Sequence, residues 1–163
     1  MSEVAAIDGL AFASNAVVLE GRLGMESLPR LAESGASGGG LHFVLTGEIN
    51  ERNKPGLRLV VDGSMRIVCQ RCLGRLVLPV QLDVQLEFVP SEAEMLAAGD
   101  EVDRIVAGHA MSVAALVEDE VLLALPMVPR HVQCSSAARM DGGAKASSFQ
   151  ALAALRKTNR QGD

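Results

Sequence analysis

Three long stretches of alternating hydrophobicity constrain this chain more than any other feature. Leu41, Phe43, Leu45 and Ile49 alternate with His42, Thr46, Glu48 and Asn50. After a turn at Asn53 to Gly56, Leu57, Leu59, Val61, Met65 and Ile67 alternate with Arg58, Asp62, Ser64 and Arg66. In the third stretch Leu76, Leu78, Val80, Leu82, Val84, Leu86 and Phe88 fall on one side, and Gln81, Asp83, Gln85 and Glu87 on the other. A period of two sends successive side chains to opposite faces of a strand, so these segments read as half-buried strands of an antiparallel sheet. Pro79 has no N–H to give a ladder, which predicts an edge position or a bulge.

The rest of the chain is read around that sheet. Ala16 to Gly21 predicts a short strand, and Ser34 to Gly40 a flexible Gly/Ser loop. Ser91 to Ala98 predicts a short helix, followed by an acidic loop over Gly99 to Arg104. Ser112 is placed to cap a second helix over Val113 to Leu125, which Pro126 stops. Its stripe of Val113, Leu116, Val117, Val121 and Ala124 can cover the sheet. The expected fold class is α+β: an antiparallel β-meander or partly open barrel covered by one main helix. Residues 1–134 are expected to form a single domain. Residues 135–163 are expected to form a loosely ordered basic tail with a short helix over Phe149 to Lys157.

Composition narrows the function classes. Trp and Tyr are absent and Phe numbers 4, so the core is built from Leu, Val, Ala, Ile and Met. The same scarcity counts against an RNA reader that stacks bases on exposed rings. No apolar run reaches the length of a membrane span. Met1 to Leu10 carries Glu3 and Asp8 without Lys or Arg, unlike a secretory signal, and the expectation is a cytoplasmic protein with no membrane contact. Three cysteines, an odd number, fit a reducing compartment.

The net charge of −5 conceals an asymmetry. Arg52, Lys54, Arg58, Arg66, Arg71 and Arg75 face a single acid, Asp62, between residues 52 and 75. Residues 76–129 are strongly acidic, and the chain turns basic again from Arg130. Such blocks suit contact with both RNA and a basic protein, although an ordinary solvated surface gives the same pattern.

One local motif carries chemistry. Cys69-Gln70-Arg71-Cys72 sits between two alternating strands, where a tight turn can aim both sulfurs at one ion. Far down the chain, His131-Val132-Gln133-Cys134 supplies a second pair. Cys69, Cys72, His131 and Cys134 together match the ligand types and number of a closed tetrahedral zinc site. The competing readings are unpaired thiols near a loop, or redox chemistry; the latter is weakened because the motif does not open a helix. Arg71 and Arg75 beside the turn, and Arg58 and Arg66 on the polar face of the preceding strand, are the candidate phosphate contacts, against the plainer reading of a solvated sheet face. Glu118, Asp119 and Glu120 form an acidic helix centre. Neighbours on a helix point about 100° apart, so they do not converge on one ion, and a solvated, structural or partner-facing role fits better. No nucleotide-binding glycine loop and no catalytic triad is present in the sequence, and the expectation is a non-enzyme.

Two segments resemble the YceD family of large ribosomal RNA subunit accumulation proteins. One is Cys69-Gln70-Arg71-Cys72-Leu73 after a hydrophobic strand. The other is Val117-Glu118-Asp119-Glu120-Val121-Leu122-Leu123-Ala124-Leu125-Pro126-Met127-Val128-Pro129, similar to the family's V-E-D-E…L-P-x-x-P stretch. The ending Ser148-Phe149-Gln150-Ala151-Leu152-Ala153-Ala154-Leu155-Arg156 also resembles the family's, but lacks its Pro. The resemblance implies a ribosome-biogenesis role in synthesis, processing or stability of 23S rRNA, without a catalytic residue. Its expected partners are rRNA or the pre-ribosomal large subunit, directly or indirectly. It also gives Glu118 and Glu120 a basic ribosomal protein or a neighbouring Arg to hold. A zinc-stabilised protein–protein adaptor is the alternative.

Overall fold

A computed structural model describes residues 6–97 and 102–134. The expected basic tail with its Phe149–Lys157 helix, and Gly99 to Glu101 at the start of the expected acidic loop, lie outside the described residues.

The elements run β1 (Ala6–Ile7), α1 (Gly9–Ser14), β2 (Val18–Leu23), a 3-10 turn (Met25–Ser27), α2 (Pro29–Glu33), β3 (Ser37–Ile49), β4 (Pro55–Val68), β5 (Arg75–Val89), α3 (Glu92–Ala97), β6 (Asp103–Val106), β7 (Met111–Ser112) and α4 (Val113–Ala124). Five strands form one open sheet in the order β2-β3-β4-β5-β6, and β1 pairs with β7 in a separate two-stranded ribbon. β2 to β5 are antiparallel neighbours, as the alternation requires, whereas β6 joins β5 in parallel. This is the expected α+β meander, not closed into a barrel.

Cross-strand register explains the core. Leu45, Leu59 and Val84 stand opposite one another along one row, as do Phe43, Val61 and Leu82 along the next. These rows face Phe12 of α1, Leu28 and Leu31 around α2, and Val113, Val117 and Val121 of α4, all within one buried cluster. Gly47 lets α1 approach the sheet: a Cβ there would run into the carbonyl oxygen of Phe12. Ser112 caps α4 by accepting from the Ala115 N–H at 3.3 Å.

Three expectations change. The Gly/Ser loop at 34–40 is a loop only at its start, because β3 begins at Ser37 and carries a bulge at Gly38. Glycine-rich composition reads as a linker, but here Gly38 and Gly39 take positive φ angles of 50° and 92° that let the strand kink into register. The acidic loop expected up to Arg104 ends instead in β6, an edge strand too short to show a period. On α4 the buried face is Val113, Ala114, Val117, Glu118 and Val121. Ala124 is exposed, and a carboxylate takes a place in the stripe.

β6 covers only Leu86 to Val89 of β5. Among the described residues the remainder of that edge, from Arg75 to Gln85, has no strand beyond it. The chain leaving α4 instead runs past Leu76 to Pro79, forming with them a shallow groove of about 360 Å³.

Candidate metal centre and the arginines around it

The β4–β5 connection is a tight knuckle. The Cys69 N–H donates to the Gly74 carbonyl at 2.9 Å, and the Leu73 N–H to the Cys69 carbonyl at 2.9 Å. Leu73 takes a left-handed φ of 57° to close the turn. The segment after α4 is tied to this knuckle by the Gln70 N–H, which donates to the Pro129 carbonyl at 2.8 Å. Pro126 stops the helix, so the chain can descend to that contact and deliver His131 and Cys134.

The four expected ligands converge. Their donor atoms all lie within 4.8 Å of one another. Cys69 Sγ is 3.7 Å from Cys134 Sγ, and His131 Nδ1 is 3.4 Å from Cys72 Sγ and 4.0 Å from Cys134 Sγ. A tetrahedral zinc with bonds of about 2.3 Å to sulfur and about 2.0–2.1 Å to nitrogen spaces its ligands about 3.8 Å (S to S) and about 3.6 Å (S to N). The donor set and spacing fit.

The surroundings favour the metal-binding protonation state at His131 and Cys69 and oppose it at Cys72. The Arg75 carbonyl oxygen lies 2.9 Å from His131 Nε2. A carbonyl only accepts, so Nε2 carries the proton and Nδ1 turns its lone pair towards the sulfurs. Burial works against ionising Cys69, but backbone N–H groups of Cys72, Arg71 and His131 outweigh it and bring the thiol down to about 5. At Cys72 the Gly74 N–H favours the thiolate, but burial and the neighbouring sulfurs of Cys69 and Cys134 push the thiol up. Crowded sulfurs that cannot all ionise alone are what a bound cation relieves. Arg71 Nε donates to Cys134 Sγ at 3.1 Å, giving part of that compensation.

The candidate phosphate contacts separate into two groups. Arg58 lies on the polar face as expected, but Asp83 holds it bidentately at 2.8 and 2.7 Å. That pairing raises the guanidinium pKa and holds the Asp83 carboxyl below the usual carboxylate range. Arg66, Arg71 and Arg75 are exposed, and among the described residues none pairs with a carboxylate. Arg52 and Lys54 sit at the β3–β4 turn, at the opposite end of the sheet from the knuckle. The basic block of the sequence is therefore split between two ends. Arg130, which the sequence marks only as the start of a second basic block, joins the knuckle end because it precedes the ligand His131.

The acidic helix residues part company too. Glu118 is 3% exposed; one oxygen accepts from Arg30 Nε and the other from the Leu31 N–H, each at 3.0 Å. Asp119 pairs with the same Arg30 at 2.6 Å. Glu120 has its carboxyl pushed up by burial first, and then by Asp103 and Asp119.

No helix among the described residues is long and apolar enough to cross a membrane. A family model described as large ribosomal RNA subunit accumulation protein YceD matches residues 57–156. No curated protein and no solved structure matches the chain.

Proposed function

Because this chain belongs to the YceD family of large ribosomal RNA subunit accumulation proteins, we propose that it is a non-enzymatic, cytoplasmic factor that binds 23S rRNA or a large-subunit assembly intermediate through its knuckle end. The observation that carries this reading is the gathering there of Arg66, Arg71 and Arg75 without carboxylate partners among the described residues, while Arg58 and Arg30 are engaged by acids. A free guanidinium fork suits a phosphate bidentately, whereas one held by Asp83 must first be released. Arg58 is therefore left out of the contact set. Cys69, Cys72, His131 and Cys134 would hold a structural zinc, which contributes folding energy and joins two distant segments. Arg71→Ala combined with Arg75→Ala is expected to weaken binding to 23S rRNA fragments. It should also reduce the slope of log K against log salt by about 1.4, two contacts at roughly 0.7 each. An unchanged slope in a filter-binding titration rejects the assignment.

A second reading is a zinc-stabilised adaptor that meets only protein. It is favoured by apolar side chains exposed at the same end, with Leu73 at 76%, Val132 at 99% and Met127 at 100%. Purification from cells with and without nuclease separates the two: ribosomal proteins retained after nuclease support the adaptor.

A further inference from the structure

We infer, resting on the RNA reading above, that the four-ligand clasp assembles the anion-binding surface: it adds Arg130 to Arg66, Arg71 and Arg75, so that metal occupancy and affinity for a phosphodiester backbone are linked. Arg130 stands 55 positions from Arg75 in the chain and reaches the knuckle end only because its neighbours are tied there. Pro129 before it accepts from the Gln70 N–H, and His131 after it donates to the Arg75 carbonyl. Val77 is the shared reference point. It is the register partner of Arg66, lies two residues from Arg75 on the same strand face, and lines the groove with Arg130. Arg130 is exposed, and no acid pairs with it among the described residues.

Arg71 is coupled to the clasp from the other side. Its Nε donates to the sulfur of Cys134, so its guanidinium direction depends on where that ligand sits. Two arginines on separate segments are thus fixed by one ligand set. Without the ion, the segment carrying Arg130 is held to the knuckle by the Gln70–Pro129 hydrogen bond and by the His131 and Arg71 side-chain contacts, with no bond joining the four ligands. A surface that must order four long side chains binds RNA more tightly when two are already positioned. By reciprocity, RNA that binds the ordered surface must tighten metal retention by the same factor.

The test uses the full chain, loaded with one equivalent of zinc, and a labelled oligouridine as the probe. Binding is measured across a salt series, before and after chelation. The expected result is a slope smaller by about 1.4 after chelation, as Arg71 and Arg130 leave the surface, and smaller by about 0.7 for zinc-loaded Arg130→Ala. Saturating oligouridine should also slow zinc loss to a competing chelator, and slow it less in Arg130→Ala. If chelation unfolds the chain, the zinc-loaded Arg130→Ala comparison decides alone, with circular dichroism confirming its fold. Identical slopes and identical zinc retention in wild type and Arg130→Ala overturn the linkage. Absence of any salt-dependent binding by the zinc-loaded wild type overturns the RNA reading itself, a distinct result.

Discussion

Glu118 is the residue whose role the structure changes most. A carboxylate in the middle of an apolar helix looks like a feature meant for solvent or a partner. Here it faces inward and satisfies the N–H of Leu31, a residue with no exposure, while holding Arg30. Glu118→Ala leaves that N–H without an acceptor and should cost about 1–3 kcal/mol in urea denaturation. Asp119→Ala, at a half-exposed pair, should cost much less. Glu87 makes a second test at this scale. Asn50 donates to it at 2.8 Å and Arg104 lies at 3.4 Å, and these hold its carboxyl below the ordinary value of about 4.5 despite burial. A lowered carboxyl pKa adds stability above the ordinary value and loses it as pH falls through the lowered one. The stability advantage of wild type over Glu87→Gln should therefore shrink on acidification below about pH 4.5, followed by thermal melts. The family resemblance allowed Glu118 a neighbouring Arg, but neither Arg30 nor Asn50 could be named from the sequence, because no periodicity links residue 118 to residue 30 or residue 87 to residue 50. The metal ligands were legible, because cysteine and histidine announce themselves by type and spacing even when the pairs are distant.

At the scale of elements, alternation over β3, β4 and β5 was enough to foretell strands, because one face of each is buried and the other wet. The start of β3 and the whole of β6 were hidden for opposite reasons. Ser37 to Gly40 has backbone freedom in place of a pattern, and Asp103 to Val106 is too short to have one. Position in the fold also revises the consequence of losing a metal. The sequence alone suggests that chelation unfolds the chain, since zinc can contribute on the order of 10 kcal/mol to folding. The main core, around Leu45, Leu57, Leu59 and Val61, lies along the body of the sheet and apart from the knuckle. Chelation or Cys69→Ser should therefore loosen the knuckle first. Hydrogen exchange should rise at Gln70, Leu73 and His131 while Leu59 and Val61 remain protected. Simultaneous loss of protection at all five would show that the clasp and the sheet fold as one unit.

For the molecule as a whole, topology decides what the charge blocks mean. Antiparallel connection places consecutive turns at opposite ends, so Glu48, Glu51 and Arg52 are far from Arg71 and Arg75 although all lie within one short stretch of sequence. If binding to nucleic acid follows the end and not the total, replacing Glu48 and Glu51 by Lys should leave RNA affinity nearly unchanged. That double change moves the net charge from −5 towards zero. Arg75→Glu alone should abolish most of the affinity. Equal gains from the distal lysines would indicate diffuse attraction. The long open margin of β5 has its own outcome. Bare main-chain groups on such a margin ordinarily recruit a neighbour's strand and seed fibres. Pro79 lies within that margin and interrupts the donor row, and prolines 126 and 129 lie in the chain that borders it. Copies of this protein crowded together in a cell thus meet a guarded flank, on which cross-β stacking has no continuous template to copy.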